Sequence, residues 1–166
     1  MRPWLSLLAA LFAGVAAAHA TAAELPLEVE IPRMAVAEYH APYLAFWLKH
    51  ADSGEIVPLG LWYDDQEKWL KDIRQWWRRT GRSQSAPYDG LTGATRSPGK
   101  HSVDFSELQR LQELPKGNYQ LVVEASREVG GREVVRLPFQ WPASSPEQAQ
   151  ANGSSKLGTV TLTLNP

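Results

Sequence analysis

The chain predicts an all-β fold with one inserted helix, an immunoglobulin-like β-sandwich of about seven strands. Three observations carry that expectation. Several segments alternate apolar and polar residues with period two, as in Thr159 to Leu164. Turn-forming clusters such as Asp52-Ser53-Gly54 and Gly130-Gly131 separate them. A single stretch, Trp69 to Trp77, has helical periodicity instead.

Met1-Arg2, the apolar run Trp4 to Ala18 and the end Ala18-His19-Ala20 form a basic start, a short apolar region and an Ala-x-Ala site. Residues 1–20 are therefore expected to be a cleavable signal peptide, too short to span a membrane, followed by one domain over residues 21–166. Leu27-Glu28-Val29-Glu30-Ile31 alternates between Pro26 and Pro32, which predicts an edge strand. Tyr43 to Lys49 is almost continuously apolar and predicts a strand buried on both faces. After the Asp52-Ser53-Gly54 turn, Ile56 to Tyr63 returns as its hairpin partner. The helix is expected near residues 65–80. Asp64 and Glu67 are placed as an acidic cap and its capping-box partner, and Gly81 as the C-terminal stop.

Trp69, Leu70, Ile73, Trp76 and Trp77 share one face of that helix, with Lys68, Lys71, Arg74, Arg78 and Arg79 around the rest. The stripe covers an open side of a sheet, or Trp76 and Trp77 flank a flat cofactor. The basic face is a solvated surface, or it meets a phosphate or a protein partner. Residues 82–99 show no periodicity and form a long loop. Strands follow at His101 to Phe105, Tyr119 to Ala125, Arg132 to Trp141 and Val160 to Leu164. Phe105 to Leu111 suits a turn of helix, and the polar stretch Pro142 to Ser155 suits a flexible surface excursion.

Composition narrows the chemistry. The formal charge is −1, and losing Arg2 with the leader makes the chain one unit more acidic, so nucleic acid is not an expected partner. Without cysteine the chain has no disulfide, thiolate metal site, c-type haem attachment or lipoprotein anchor. No second long apolar run follows the leader, so no membrane span is expected. His40, His50 and His101 lack metal-ligand spacing, and no nucleophile elbow, phosphate-cradling glycine loop or zinc helix motif occurs, so neither catalytic nor metal residues are assigned.

One stretch stands out, Tyr88-Asp89-Gly90-Leu91-Thr92-Gly93-Ala94-Thr95-Arg96-Ser97-Pro98-Gly99. A turn at Asp89-Gly90 leads into small residues that leave the hydroxyl of Thr95 open to close approach. The pattern Asp89-x-x-Thr92-Gly93-Ala94-Thr95 resembles the flavinylation motif of bacterial extracytoplasmic electron-transfer proteins, as in subunits of sodium-pumping quinone reductases. The resemblance implies FMN joined covalently to Thr95 through a phosphoester by an FAD-dependent periplasmic flavin transferase, with Asp89 read by that enzyme. Arg96, Lys100 and His101 lie near enough in sequence to offset the phosphate charge, or are ordinary loop charges.

The whole mature chain also resembles the periplasmic proteins grouped as domain of unknown function 2271. The likeness rests on Tyr43-Leu44-Ala45-Phe46-Trp47, the helix ending in Trp76-Trp77, Thr92 to Gly99 and Glu124-Ala125-Ser126-Arg127-Glu128. It implies an accessory of PepSY-type membrane reductases, often tied to iron assimilation. On this reading the protein is a periplasmic electron carrier rather than an enzyme with its own substrate. The alternative is a cofactor-free β-sandwich interaction module that docks a partner around Trp76 and Trp77.

Overall fold

The computed structural model describes residues 25–64 and 66–166, so the expected signal peptide lies outside the described residues. The strands are β1 (Leu27–Ile31), β2 (Tyr43–His50), β3 (Ile56–Trp62), β4 (Leu91–Gly93), β5 (Gly99–Val103), β6 (Gly117–Arg127), β7 (Gly131–Trp141), β8 (Glu147–Asn152) and β9 (Thr159–Leu164). They form two sheets, ordered β5-β1-β9-β8 and β4-β3-β2-β6-β7. The fold is the expected all-β sandwich with a small helical insertion. It has nine strands among the described residues rather than about seven.

β2 shows why the sandwich carries a third layer. Leu44, Phe46 and Leu48 point into the core between the sheets, beside Val29, Ile31, Val123, Val160 and Leu162. Tyr43, Ala45 and Trp47 point the other way, into a second core with Leu61, Leu70, Ile73, Trp76 and Tyr88. The period-two alternation of a strand sends neighbours to opposite faces, so a run without polar residues needs a cover on both. The helical insertion is that cover.

Four expectations are corrected. β1 is not an edge strand; it lies between β5 and β9 with antiparallel partners on both sides. Pro26 and Pro32 fall outside its ladder and remove no donor from it. β8 occupies part of the stretch expected to be a flexible excursion, pairing with β9 from Glu147 opposite Leu164 to Asn152 opposite Thr159. Its inward residues are Ala149 and Ala151, whose small side chains pack on the core but give a weak hydrophobic signal. β4 lies inside the long loop as three residues parallel to β3.

The fourth correction concerns the helix. It is two pieces, a 3-10 segment Glu67–Asp72 and α1 (Arg74–Arg79), with Ile73 between them at ψ 72°. Neither piece has a side-chain cap from its own N-cap residue. Asp64 accepts the N–H of Gln66 at 2.7 Å and the hydroxyl of Tyr43, while Glu67 accepts the hydroxyl of Tyr88. The start of α1 is served instead by Glu124 of β6, fully buried, which accepts the N–H groups of Gln75 (3.0 Å) and Trp76 (2.9 Å). Gly81 follows α1 as expected, but with no positive φ. A Cβ there would come within 2.5 Å of the Trp76 ring, so glycine provides room rather than a left-handed turn.

Glu133 of β7 ties down the approach to β9. Its carboxylate accepts the N–H groups of Ser154, Ser155, Lys156 and Leu157 and the hydroxyls of both serines. Burial pushes its pKa up, but the backbone donors of Leu157, Ser154 and Lys156 outweigh burial and hold it at about 2, below the ordinary 4.5. A depressed carboxylate stabilises the fold above its unfolded pKa and loses that contribution as pH falls toward the folded value. Acid titration of wild type from pH 5 to pH 2 is expected to remove about 1–2 kcal/mol through this group, its partial exposure screening the full linkage value. Urea unfolding of Glu133→Gln across the same range checks this: its stability should fall less steeply with acid, and parallel curves would refute the assignment.

Candidate functional site

The Thr95 segment is held at both ends by different sheets. Upstream, Tyr88 is 7% exposed and meets Tyr63 at 5.9 Å and Trp76 at 5.5 Å, both edge-on. Burial, together with the negative charge of Glu67, pushes its phenol pKa up. Asp89 is exposed; its N–H donates to Gln84 Oε1 at 2.9 Å, and its carboxylate accepts from Gln84 Nε2 at 3.3 Å. Gly90 has φ 97°, and a Cβ there would lie 2.7 Å from the Leu59 backbone. Both the conformation and the space call for glycine. β4 then pairs Leu91, Thr92 and Gly93 with Gly60, Leu61 and Trp62. Gly60 permits this approach, since a Cβ there would meet the Leu91 carbonyl oxygen at 3.0 Å.

Gly93 accepts the Tyr63 N–H at 2.9 Å and lies against the Trp62 indole. Ala94 is exposed and Thr95 is half-buried. The Arg96 guanidinium sits over the Trp62 ring at 5.3 Å, within cation–π range. Trp62 also meets the His101 ring edge-on at 6.0 Å, and His101 Nε2 donates to the Ser97 carbonyl at 2.8 Å. Downstream, β5 pairs with β1 in the other sheet, and Lys100 Nζ reaches Glu28 at 3.1 Å.

Thr95 borders two cavities of opposite character. One, of about 230 Å³, is walled by Tyr39, Tyr43 and Trp69, with His40, Asp64 and Glu128 among its polar groups. The other, about 480 Å³ and shallower, is walled by Arg96, Ser97, Lys100, His101 and Ser102. One recess that Thr95 borders is aromatic and acidic, the other basic.

Residues 24–159 match the family model described as "Predicted periplasmic protein (DUF2271)". The chain belongs to this family. No curated protein and no solved structure matches it. DUF2271 membership places the protein in the periplasm, and no helix among the described residues is long and apolar enough to cross a membrane.

Within this DUF2271 chain the motif residues Asp89, Thr92, Gly93, Ala94, Thr95 and Arg96 occupy one continuous surface segment. Trp76 and Trp77 are not brought to Thr95; Trp76 touches the segment only at Tyr88. Trp76 is 2% exposed in the second core, and Trp77 is half-buried against the same cluster. Neither lines a cavity that Thr95 borders. The tryptophan beside Thr95 is Trp69, joined by Tyr39, Tyr43, His40 and Glu128. Trp69 packs half-buried against the second core, as its place in the stripe predicts, and it also lines the cavity that Thr95 borders, which the stripe alone did not signal. Among the described residues no group of three or more His, Asp or Glu is suited to a metal ion.

Proposed function

We propose that this DUF2271 protein is a periplasmic electron carrier bearing FMN on Thr95, loaded by an FAD-dependent flavin transferase and serving a PepSY-type membrane reductase, in iron assimilation as the resemblance implies. The observation that carries the reading is the position of Thr95. Thr95 borders both an aromatic recess and a basic one, with the small residues Gly93 and Ala94 immediately before it.

The residues present fit the group. Thr95 Oγ1 would attack the flavin-side phosphorus of FAD; a P–O bond to Thr95 would form, the bond to AMP would break, and the threonine proton would pass to solvent or a transferase base. AMP would leave, and the chain would retain FMN less water. Arg96 and Lys100, the latter also paired with Glu28, supply positive charge where the phosphate would lie, and charge-assisted hydrogen bonds of that kind are the strong ones. When bound, the flavin supplies the reversible one- and two-electron chemistry, and the protein supplies orientation and electrostatics. A covalent bond also prevents loss of the cofactor outside the cytoplasm and keeps it at high effective concentration.

The test is intact mass after coexpression with a flavin transferase, alongside an established acceptor as control. Each chain should gain one FMN less water, and peptide mapping should place the gain on the segment containing Thr95. An unmodified chain beside a loaded control would overturn the reading. The cofactor-free interaction module has less support, because Trp76, half of its docking surface, is buried.

A further inference from the structure

The two recesses beside Thr95 differ in charge, and that difference bears on how a flavin tethered there would lie. The recess walled by Tyr39, Tyr43 and Trp69 contains three carboxylates, Asp64, Asp72 and Glu128, and one histidine, His40. Glu38 and Glu128 flank that histidine at 3.2 and 3.7 Å. A phosphodiester is disfavoured there by like charge. The second recess that Thr95 borders holds Arg96, Lys100 and His101, with Glu28, paired to Lys100 at 3.1 Å, outside its wall.

We infer that the isoalloxazine ring is seated in the Tyr39–Tyr43–Trp69 recess, with the phosphate turned toward Arg96, Lys100 and His101. This rests on the Thr95 linkage proposed above and adds the seat and its orientation. Flat aromatic side chains favour offset or edge-on contact with a flat ring system. The recess is built to hold a fixed shape. Tyr43 is 7% exposed, its hydroxyl donates to Asp64 and Gln66, and its ring meets Tyr63 edge-on at 6.5 Å. Trp69 is half-buried on the 3-10 segment and carries Lys68 Nζ 5.0 Å from its ring centroid. Tyr39 stands at the mouth, 39% exposed.

Ser126, His40 and the carboxylates offer hydrogen-bond partners to the polar edge of the ring. At about 230 Å³ the recess is smaller than the ~300–1,000 Å³ that encloses a whole drug-sized ligand. It therefore covers one part of the ring and leaves another open, the arrangement an electron carrier requires for contact with a partner.

The experiment uses FMN-loaded full-length protein, with intact mass and flavin fluorescence measured on the same samples. Tyrosine and tryptophan in contact with a flavin quench its emission by donating an electron to the excited ring. Loaded wild type is expected to emit several-fold less than free FMN at equal absorbance. Trp69→Ala and Tyr39→Ala are each expected to restore emission at least two-fold with the mass gain unchanged. Trp77→Ala, outside the recess, should leave emission as in wild type.

Loaded wild type as bright as free FMN, or Trp69→Ala and Tyr39→Ala both as dark as wild type, would overturn the seat while leaving the linkage standing. A chain without the mass gain would overturn linkage and seat together. Should Trp69→Ala not fold, Tyr39→Ala alone decides, since its side chain is outside both cores.

Discussion

Thr95→Ala is expected to abolish the FMN mass gain completely, with the variant as stable as wild type to within about 0.5 kcal/mol. The all-or-none loss follows from chemistry: alanine offers no oxygen to form the phosphoester. The small stability change follows from position, because Thr95 is half-buried beside two cavities and belongs to neither core cluster. Thr92 gives an internal comparison. It has a hydroxyl three residues upstream and is exposed, but it lies on β4 in register with Leu61. Thr92→Ser, which the motif tolerates, is expected to keep the full mass gain. Intact mass and a thermal melt on each variant suffice, and a full gain on Thr95→Ala would assign the bond to another residue.

Glu124→Ala is expected to destabilise the domain by about 2–4 kcal/mol. The carboxylate is fully buried, accepts two backbone N–H groups at the start of α1, and pairs with Arg132 Nη1 at 3.2 Å. Removing it takes the acceptor from the buried Trp76 N–H and leaves a small cavity beneath the helix. The Arg132 side chain is 37% exposed and regains water, which keeps the cost at the lower end for a broken buried pair. Glu124→Gln retains one acceptor oxygen and should lose less. Urea unfolding followed by tryptophan fluorescence measures both, since Trp76 lies in the affected layer. A loss below about 1 kcal/mol for the alanine variant would show that α1 does not depend on this cap.

The sandwich was readable where burial is one-sided or complete. β7 and β9 alternate cleanly, and β2 announces its two buried faces by lacking polar residues until Lys49. β4 and β8 were not readable, for different reasons. β4 is three residues long and mostly small, so it has no period to detect, and its pairing depends on Gly60 in a distant strand. β8 buries only alanines. The helix was recognised but its interruption was not, because Glu124, the residue that serves α1, lies 49 positions from Gln75. The motif from Asp89 to Thr95 is contiguous and, though the β4 residues within it were read as loop, was legible as a pattern. The recess beside it was not, since Tyr39, Tyr43, Trp69, Thr95 and Glu128 meet only after two sheets and a helical layer have assembled.

β4 belongs to one sheet and β5 to the other, so the short span between them crosses from one half of the sandwich to the other. A group hung from residue 95 would not swing as on a free arm. Its distance to a visiting protein would be set by how the two molecules dock, and the rate of electron tunnelling would vary little from one encounter to the next. Prying the sheets apart would shift that anchor first, so a domain that had begun to open would be a poor conductor before it had unfolded.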